Sequence, residues 1–215
     1  RTQQVTTSDK TDGGSATTLI GTYDGIHVFN KPAGLAIHQT SDGAPNLDDW
    51  LQGQPAHRGL HPVHRLDKGT SGLVLTARDR EKRAEVSGWL MSHSVEKTYL
   101  ALVYGRTRQK GVIRRALKDG RRGRPLQAET RYRTLDSEGQ YSLLVVSIGT
   151  GRKHQIRRHM EGIGHPIVGD TRYRGRKRKE MVAKAPRLGL HSWMAVLPDG
   201  QRLVAPPGGE LIGWF

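Results

Sequence analysis

Asp67 is the only carboxylate between Arg58 and Arg78, and Arg58, Arg65, Lys68 and Arg78 surround it in sequence. Neighbouring cations favour the ionised form of such a group, and an ionised aspartate can act as a base or a nucleophile. Gly69 and Gly72 permit sharp backbone turns, so Asp67 is read as a loop residue between two hydrophobic stretches. On local grounds alone, an aspartate that caps a turn or neutralises an arginine fits the same pattern. The ten histidines raise a metal reading, with His61/His64 and His154/His159/His165 as candidate ligands. His154 and His159 are separated by five positions, which on a helix points them about 140° apart, unlike the i, i+4 pair of a zinc helix. No metal and no other cofactor is expected. The Gly-rich segment Gly120–Gly123 lacks a phosphate-loop pattern and reads as a basic loop.

Charge supplies the next constraint. Thirty-five Lys and Arg against twenty Asp and Glu leave a net +15, which points to a polyanionic partner. The cations are clustered: Arg106–Arg124 and Arg172–Arg187 each hold a single acid, Asp119 and Glu180. Two such blocks suit phosphate contacts at two points of an RNA, although each is also compatible with a solvated loop. The chain has no cysteine, which excludes disulfides, thiolate metal sites and a cysteine nucleophile. Its apolar runs are far shorter than the ~20 residues of a membrane-spanning helix. Arg1–Thr18 is polar apart from Val5 and shows no leader pattern, so a cytoplasmic, monomeric protein is expected. The chain opens on Arg1 and not on methionine, which leaves an upstream module open.

These residues need elements to position them. Residues 1–18 read as a disordered polar tail and residues 19–215 as one catalytic domain of two lobes. Strands are expected at Ile26–Asn30, Gly72–Ala77, Lys97–Tyr104, Ala128–Leu135 and Tyr141–Ile148, with late strands around Gly189–Leu197 and Gln201–Val204. Asn46 and Asp79 read as N-caps of helices over Asn46–Leu51 and up to Ser92, the second packing through Ala84, Trp89, Leu90 and Met91. A further helix over His154–Ile163 should bury Ile156, Met160 and Ile163. Arg152, Lys153 and His154 crowd its N-terminus, where the macrodipole disfavours cations. A placement against local preference points to function. Strands outnumber helices without regular alternation, so the class is α+β.

Four ordered segments then carry a resemblance. His64-Arg-Leu-Asp67-Lys-Gly-Thr70-Ser-Gly-Leu73 resembles the H-R-L-D-x-x-T-S-G-L motif of the RluA family of pseudouridine synthases. Asn30-Lys-Pro-Ala-Gly34 is similar to its N-K-P-x-G turn, and Lys97-Thr-Tyr99-Leu-Ala101 to its K-x-Y-x-A strand. The fourth segment, Gly151–His159 followed by Gly164–Asp170, resembles the family's G-R-x-H-Q-I-R-x-H and G-H-P-I-x-G-D. The resemblance implies a mixed, mainly antiparallel sheet with a central RNA-binding cleft flanked by helices and loops. No S4-type RNA-binding domain is visible.

Roles follow from the resemblance residue by residue. Asp67 matches the essential carboxylate, Tyr99 the tyrosine that stacks on the flipped uracil, and Arg157 the basic residue paired with the aspartate. Arg65 matches the arginine that fills the gap left by the extruded nucleotide, and Leu66 would line the pocket. His64, Thr70, Arg152, His154, Gln155 and Arg158 are the remaining expected RNA-side residues. The implied activity is isomerisation of uridines in tRNA or rRNA, with a lean toward tRNA from Arg157-Arg158-His159 and the basic stretch after Asp170. Whether Asp67 attacks C1′, adds to C6 or abstracts a sugar proton stays open. The rival reading is a non-catalytic RNA-binding or chaperone protein on a synthase scaffold, which would predict loss of Asp67, Tyr99 or Arg157.

Overall fold

A computed structural model describes residues 16–118, 123–175 and 185–212. Most of the expected tail, the tip of the Gly120–Gly123 segment and the centre of the second basic block lie outside the described residues. In chain order the elements are β1 (Thr18–Tyr23), β2 (Ile26–Lys31), α1 (Leu47–Gly53), β3 (His61–Pro62), β4 (Ser71–Ala77) and α2 (Arg80–Met91). There follow β5 (Glu96–Tyr104), β6 (Lys110–Arg114), β7 (Leu117–Lys118), β8 (Pro125–Leu126), β9 (Glu129–Glu138) and β10 (Tyr141–Ile148). Helix α3 (Gln155–Gly162), β11 (Leu190–Val196) and β12 (Arg202–Val204) come next. The chain divides into two compact units, the first formed by residues 1–95 and 192–208, the second by 96–191 and 209–215.

In the first unit β1, β2, β4 and β11 lie in that order, with β12 paired to β11 and β3 to β4. Every residue of β4 is buried, because both of its faces are covered. Leu73 and Leu75 pack with Ile26, Val28 and Val86 of α2, while Val74 packs with Phe29 and with Leu47 and Leu51 of α1. A strand covered on both sides cannot alternate apolar with polar, hence the continuous Gly-Leu-Val-Leu run. Both expected caps form: the Asn46 side chain accepts from the Asp49 N–H, and Asp79 accepts from those of Glu81 and Lys82. The packing face of α2 follows expectation in part: Trp89 and Leu90 pack against the cluster of Ile26, Leu73 and Leu75. Val86 is its buried residue, whereas Ala84 is exposed and Met91 is 80% exposed. Met91 ends the helix, where the chain leaves the core.

In the second unit the order is β5, β10, β9, β6, all antiparallel, beside the short β7–β8 pair. Along β9, Thr130, Tyr132 and Thr134 are buried while Arg131, Arg133 and Leu135 are exposed. Helix α3 lies on the buried face, with the His159 ring bonded to the Thr130 hydroxyl. The stripe that α3 buries is Gln155, Ile156, His159 and Met160. Ile163 does not join it; it follows the helix as C-cap and is 39% exposed. Gly111 stands opposite Tyr132, and a Cβ there would sit 2.5 Å from the tyrosine ring. The aromatic ring thus takes the space that a side chain on β6 would need.

Candidate active site

The Asp67 loop is fixed at four points, all within the first unit. At its entry, the Val63 and Leu75 backbones are bonded, and the Leu75 N–H donates to His64 Nε2 at 3.0 Å. Leu66 then packs against the Phe29–Leu51 core beside Trp50. At the tip, Asp67 to Thr70 form a turn closed by the Thr70 N–H on the Asp67 carbonyl, 3.0 Å. The Lys68 carbonyl accepts from the Gly34 N–H at 2.7 Å and from Lys31 Nζ at 3.4 Å. At the exit, Gly72 has φ +109°, and a Cβ there would stand 2.2 Å from the Ser192 carbonyl oxygen. Only glycine permits that approach.

Lys31 was given no role by the sequence. It is fully buried, and Nζ also donates to the carbonyls of Pro32 at 2.8 Å and Leu35 at 2.7 Å. One ammonium therefore ties the Asn30–Gly34 turn to the Asp67 turn. A lysine closing the alternation of a buried strand was the available signal. Asp67 itself is half-buried, Arg65 beside it is exposed, and Thr70 is 1% exposed.

The second unit assembles the other expected residues. Lys97 and Tyr99 project from β5 on one face, since Tyr99 pairs through Val146 with Tyr132 on the α3 side of the sheet. Tyr99 is 9% exposed, and burial pushes the Lys97 ammonium below its ordinary range. The loop before α3 is held by Gln155. Its oxygen accepts from the Thr150 hydroxyl and the Arg152 N–H, and its nitrogen donates to the Glu129 carbonyl and Thr130. His154 turns the loop into the helix with φ 55° and no side-chain cap.

Arg157 emerges from α3 and forks onto Asp170, Nε to Oδ2 at 2.7 Å and Nη2 to Oδ1 at 2.9 Å. Asp170 is completely buried and also accepts from the backbone N–H groups of Arg172 and Tyr173. The Tyr173 ring lies 5.1 Å from the Arg157 guanidinium, and its hydroxyl meets His154 Nδ1 at 3.0 Å. This bidentate, stacked arrangement fixes the guanidinium plane. Gly169 sets it up: φ is +73°, and a Cβ would come within 2.0 Å of the Arg187 carbonyl. Asp170, like Lys31, was missed as a functional residue. Its signal was a lone acid between Glu161 and Glu180 in a cationic stretch.

The first unit thus gathers His64, Arg65, Leu66, Asp67 and Thr70, and the second gathers Tyr99, Arg152, His154, Gln155, Arg157 and Arg158. Thr70 and Gln155 were expected to touch RNA. Both are buried, and Gln155 makes four internal hydrogen bonds that hold the loop before α3. Arg158 donates to the Lys118 carbonyl and Arg152 to that of Gln127. The histidines weighed as metal ligands have internal partners. His61 meets Asp48, His64 the Leu75 N–H, His159 Thr130 and the Arg115 carbonyl, and His165 the Tyr104 carbonyl.

The fold is α+β with a mainly antiparallel sheet, and comparison with known proteins gives it a family. A family model described as RNA pseudouridylate synthase matches residues 25–162. Ribosomal large subunit pseudouridine synthase D of Nitrosomonas europaea is 33% identical over 89% of this chain and 59% of its own length. The tRNA pseudouridine synthase C of Haemophilus ducreyi is 39% identical over 70% and 71%. Among solved structures, human RNA pseudouridylate synthase domain containing 4 superposes with a TM-score of 0.72 and 26% identity, covering 90% of each chain. The chain belongs to the RNA pseudouridylate synthase family and is of the RluA type. It spans somewhat under two thirds of the Nitrosomonas relative's length.

Proposed function

We propose that this protein isomerises uridine to pseudouridine in structured RNA, tRNA or rRNA, as a monomer without metal or cofactor, and that Asp67 is its essential carboxylate. The observation that carries the reading is the Asp67 turn, where Lys31, Gly34, His64, Leu66 and Gly72 immobilise a carboxylate beside an exposed arginine. A general-purpose surface aspartate needs no such support, whereas a reacting group must be held close to its productive geometry.

The reaction breaks the N1–C1′ bond, turns the detached uracil and joins C1′ to C5, with the C5 proton leaving. The target atoms are unreachable in a stacked helix, so the nucleotide must be flipped at a cost of a few kcal/mol. Tyr99 offsets part of this by stacking on the base, worth roughly 1–3 kcal/mol. Arg65 occupies the vacated position. Arg157, its guanidinium plane fixed by Asp170, takes the part of the basic residue that the family motif implies. The relatives' names cover both RNA classes, a ribosomal and a transfer RNA enzyme. The test is incubation of the purified protein with unmodified tRNA and rRNA transcripts, followed by mapping of pseudouridine. Formation at a defined uridine in either RNA is the expected result, and no conversion in either would overturn the reading.

A further inference from the structure

We infer that the exposed face of β6 and β9, with the loop before β6, is a second docking surface for the phosphate backbone of the substrate RNA. It lies on the side of the sheet opposite Tyr99. The inference rests on the proposed activity and names a part of the molecule which that activity does not use.

The face is set by pairing register. Tyr99, Val146, Tyr132 and Gly111 are cross-strand partners and share the α3 side. Their neighbours Arg131 and Arg133 on β9, and Lys110, Val112 and Arg114 on β6, project from the reverse side and are exposed. Lys110 stands directly opposite Arg133, and Val112 opposite Arg131. Like charges placed opposite each other, as Lys110 and Arg133 are, destabilise an antiparallel pair, and a bound polyanion would relieve that repulsion. By register Glu129, Asp136 and Glu138 of β9 share this face; Glu129 is taken up by both Arg114 and Arg131, at 2.7 Å each, and Asp136 and Glu138 lie past the β9 irregularity, opposite Leu143 and Tyr141. Among the described residues no carboxylate lies within ion-pair distance of Arg106, Arg108, Lys110 or Arg133.

The loop that leads into β6 is built, not slack. Ser142, fully buried, donates its hydroxyl to the Gly105 carbonyl and accepts from the Thr107 N–H. Buried Thr134 bonds the Thr107 hydroxyl and the Arg108 carbonyl, and its N–H donates to the Gln109 carbonyl. Two buried hydroxyl residues thus fix the backbone while Arg106 and Arg108 stay exposed. Cations on a fixed backbone lose little freedom when they meet phosphates. Along β9, Arg131 and Arg133 are about 7 Å apart. The surface is thus a short ladder of positive charge suited to a run of phosphodiesters. An edge strand can also carry cations merely to block pairing with other chains, and the test separates the two.

Two loss variants, Arg106→Gln/Arg108→Gln and Lys110→Gln/Arg133→Gln, and one gain variant, Val112→Lys, are compared with the wild type. Binding to unfractionated tRNA is measured by filter retention across a KCl series, and pseudouridine formation is measured at saturating enzyme. The loss variants should each flatten the log–log salt slope by about 1.5 units and Val112→Lys should steepen it by nearly one. The rate at saturation should stay within twofold of wild type. Folded variants with unchanged salt slopes, with or without new self-association in sedimentation, would overturn the inference. If a loss variant fails to fold, the slope of Val112→Lys decides alone. Failure of the synthase reading is distinct: there the wild type itself would form no pseudouridine.

Discussion

Replacing Asp170 by asparagine tests whether the Arg157 fork matters as argued. The wild-type carboxylate is fully buried and accepts from Arg157 Nε and Nη2 and from the backbone N–H groups of Arg172 and Tyr173. Three of these four bonds converge on Oδ1, so the amide oxygen of asparagine is best placed there. Its NH2 group then faces the Arg157 Nε–H, donor against donor, and a buried guanidinium loses its charge partner. Removing one member of a buried ion pair costs about 3–5 kcal/mol. For a chain of this size each kcal/mol shifts the melting temperature by roughly 2–4 °C, so a drop of roughly 6–12 °C or more is expected. The guanidinium would also be free to tilt, and a misplacement on the order of 1 Å costs about a hundredfold in rate. A thermal melt and single-turnover pseudouridine formation read the two effects. A variant melting within 2 °C of wild type and retaining at least half its rate would refute the reasoning.

Further outcomes follow from other contacts. Gly72→Ala should yield little folded protein by circular dichroism, because its Cβ would meet the Ser192 carbonyl oxygen at 2.2 Å; a melt like that of wild type contradicts this. Lys31→Met removes the donor of three backbone carbonyls and should cost about 3 kcal/mol or more in urea unfolding. Burial, with Arg158 and Arg115 adding repulsion, pushes the His159 imidazole below its ordinary 6.5. The folded state therefore takes up the proton less readily than the unfolded chain. Stability from this group is present above pH 6.5 and is lost as pH falls through the lower folded value. Denaturation at about pH 7.5 and pH 5 should show a decline that His159→Gln makes shallower, with His27 and His57, also lowered by burial, supplying the rest.

How much of this was legible in the sequence depended on whether the signal was local. The continuous apolar run of β4 and the caps Asn46 and Asp79 could be read because each is decided by its own neighbours. Strands β6, β7 and β8 could not. β6 and β7 lie within the basic block and β8 directly after it, and β6 buries one side chain, Ile113, so its pattern resembles a solvated loop. The α2 face was legible in part: Trp89 and Leu90 pack as expected, but tertiary placement left Ala84 and Met91 in solvent. Asp67 stood out locally as a lone acid among cations, whereas Tyr99 and Arg157 were singled out through family motifs alone. Lys31, which reaches the carbonyl of Lys68 in the Asp67 turn, and Asp170, which holds Arg157 from another loop, act through tertiary bonds that no local pattern announces.

The central claim is that Asp67 carries the reaction, and Asp67→Asn tests it most directly. The substitution keeps the size of the side chain and removes its charge, basicity and nucleophilicity. Because the turn is held by Lys31, Gly34, His64 and Leu66 and not by this carboxylate alone, the variant should fold. RNA affinity, which comes mainly from dispersed phosphate contacts, should remain near wild type. Single-turnover conversion of an unmodified target RNA, measured beside filter binding and a thermal melt, should fall below detection. A folded Asp67→Asn protein that binds RNA and still forms pseudouridine at a substantial rate would contradict the account.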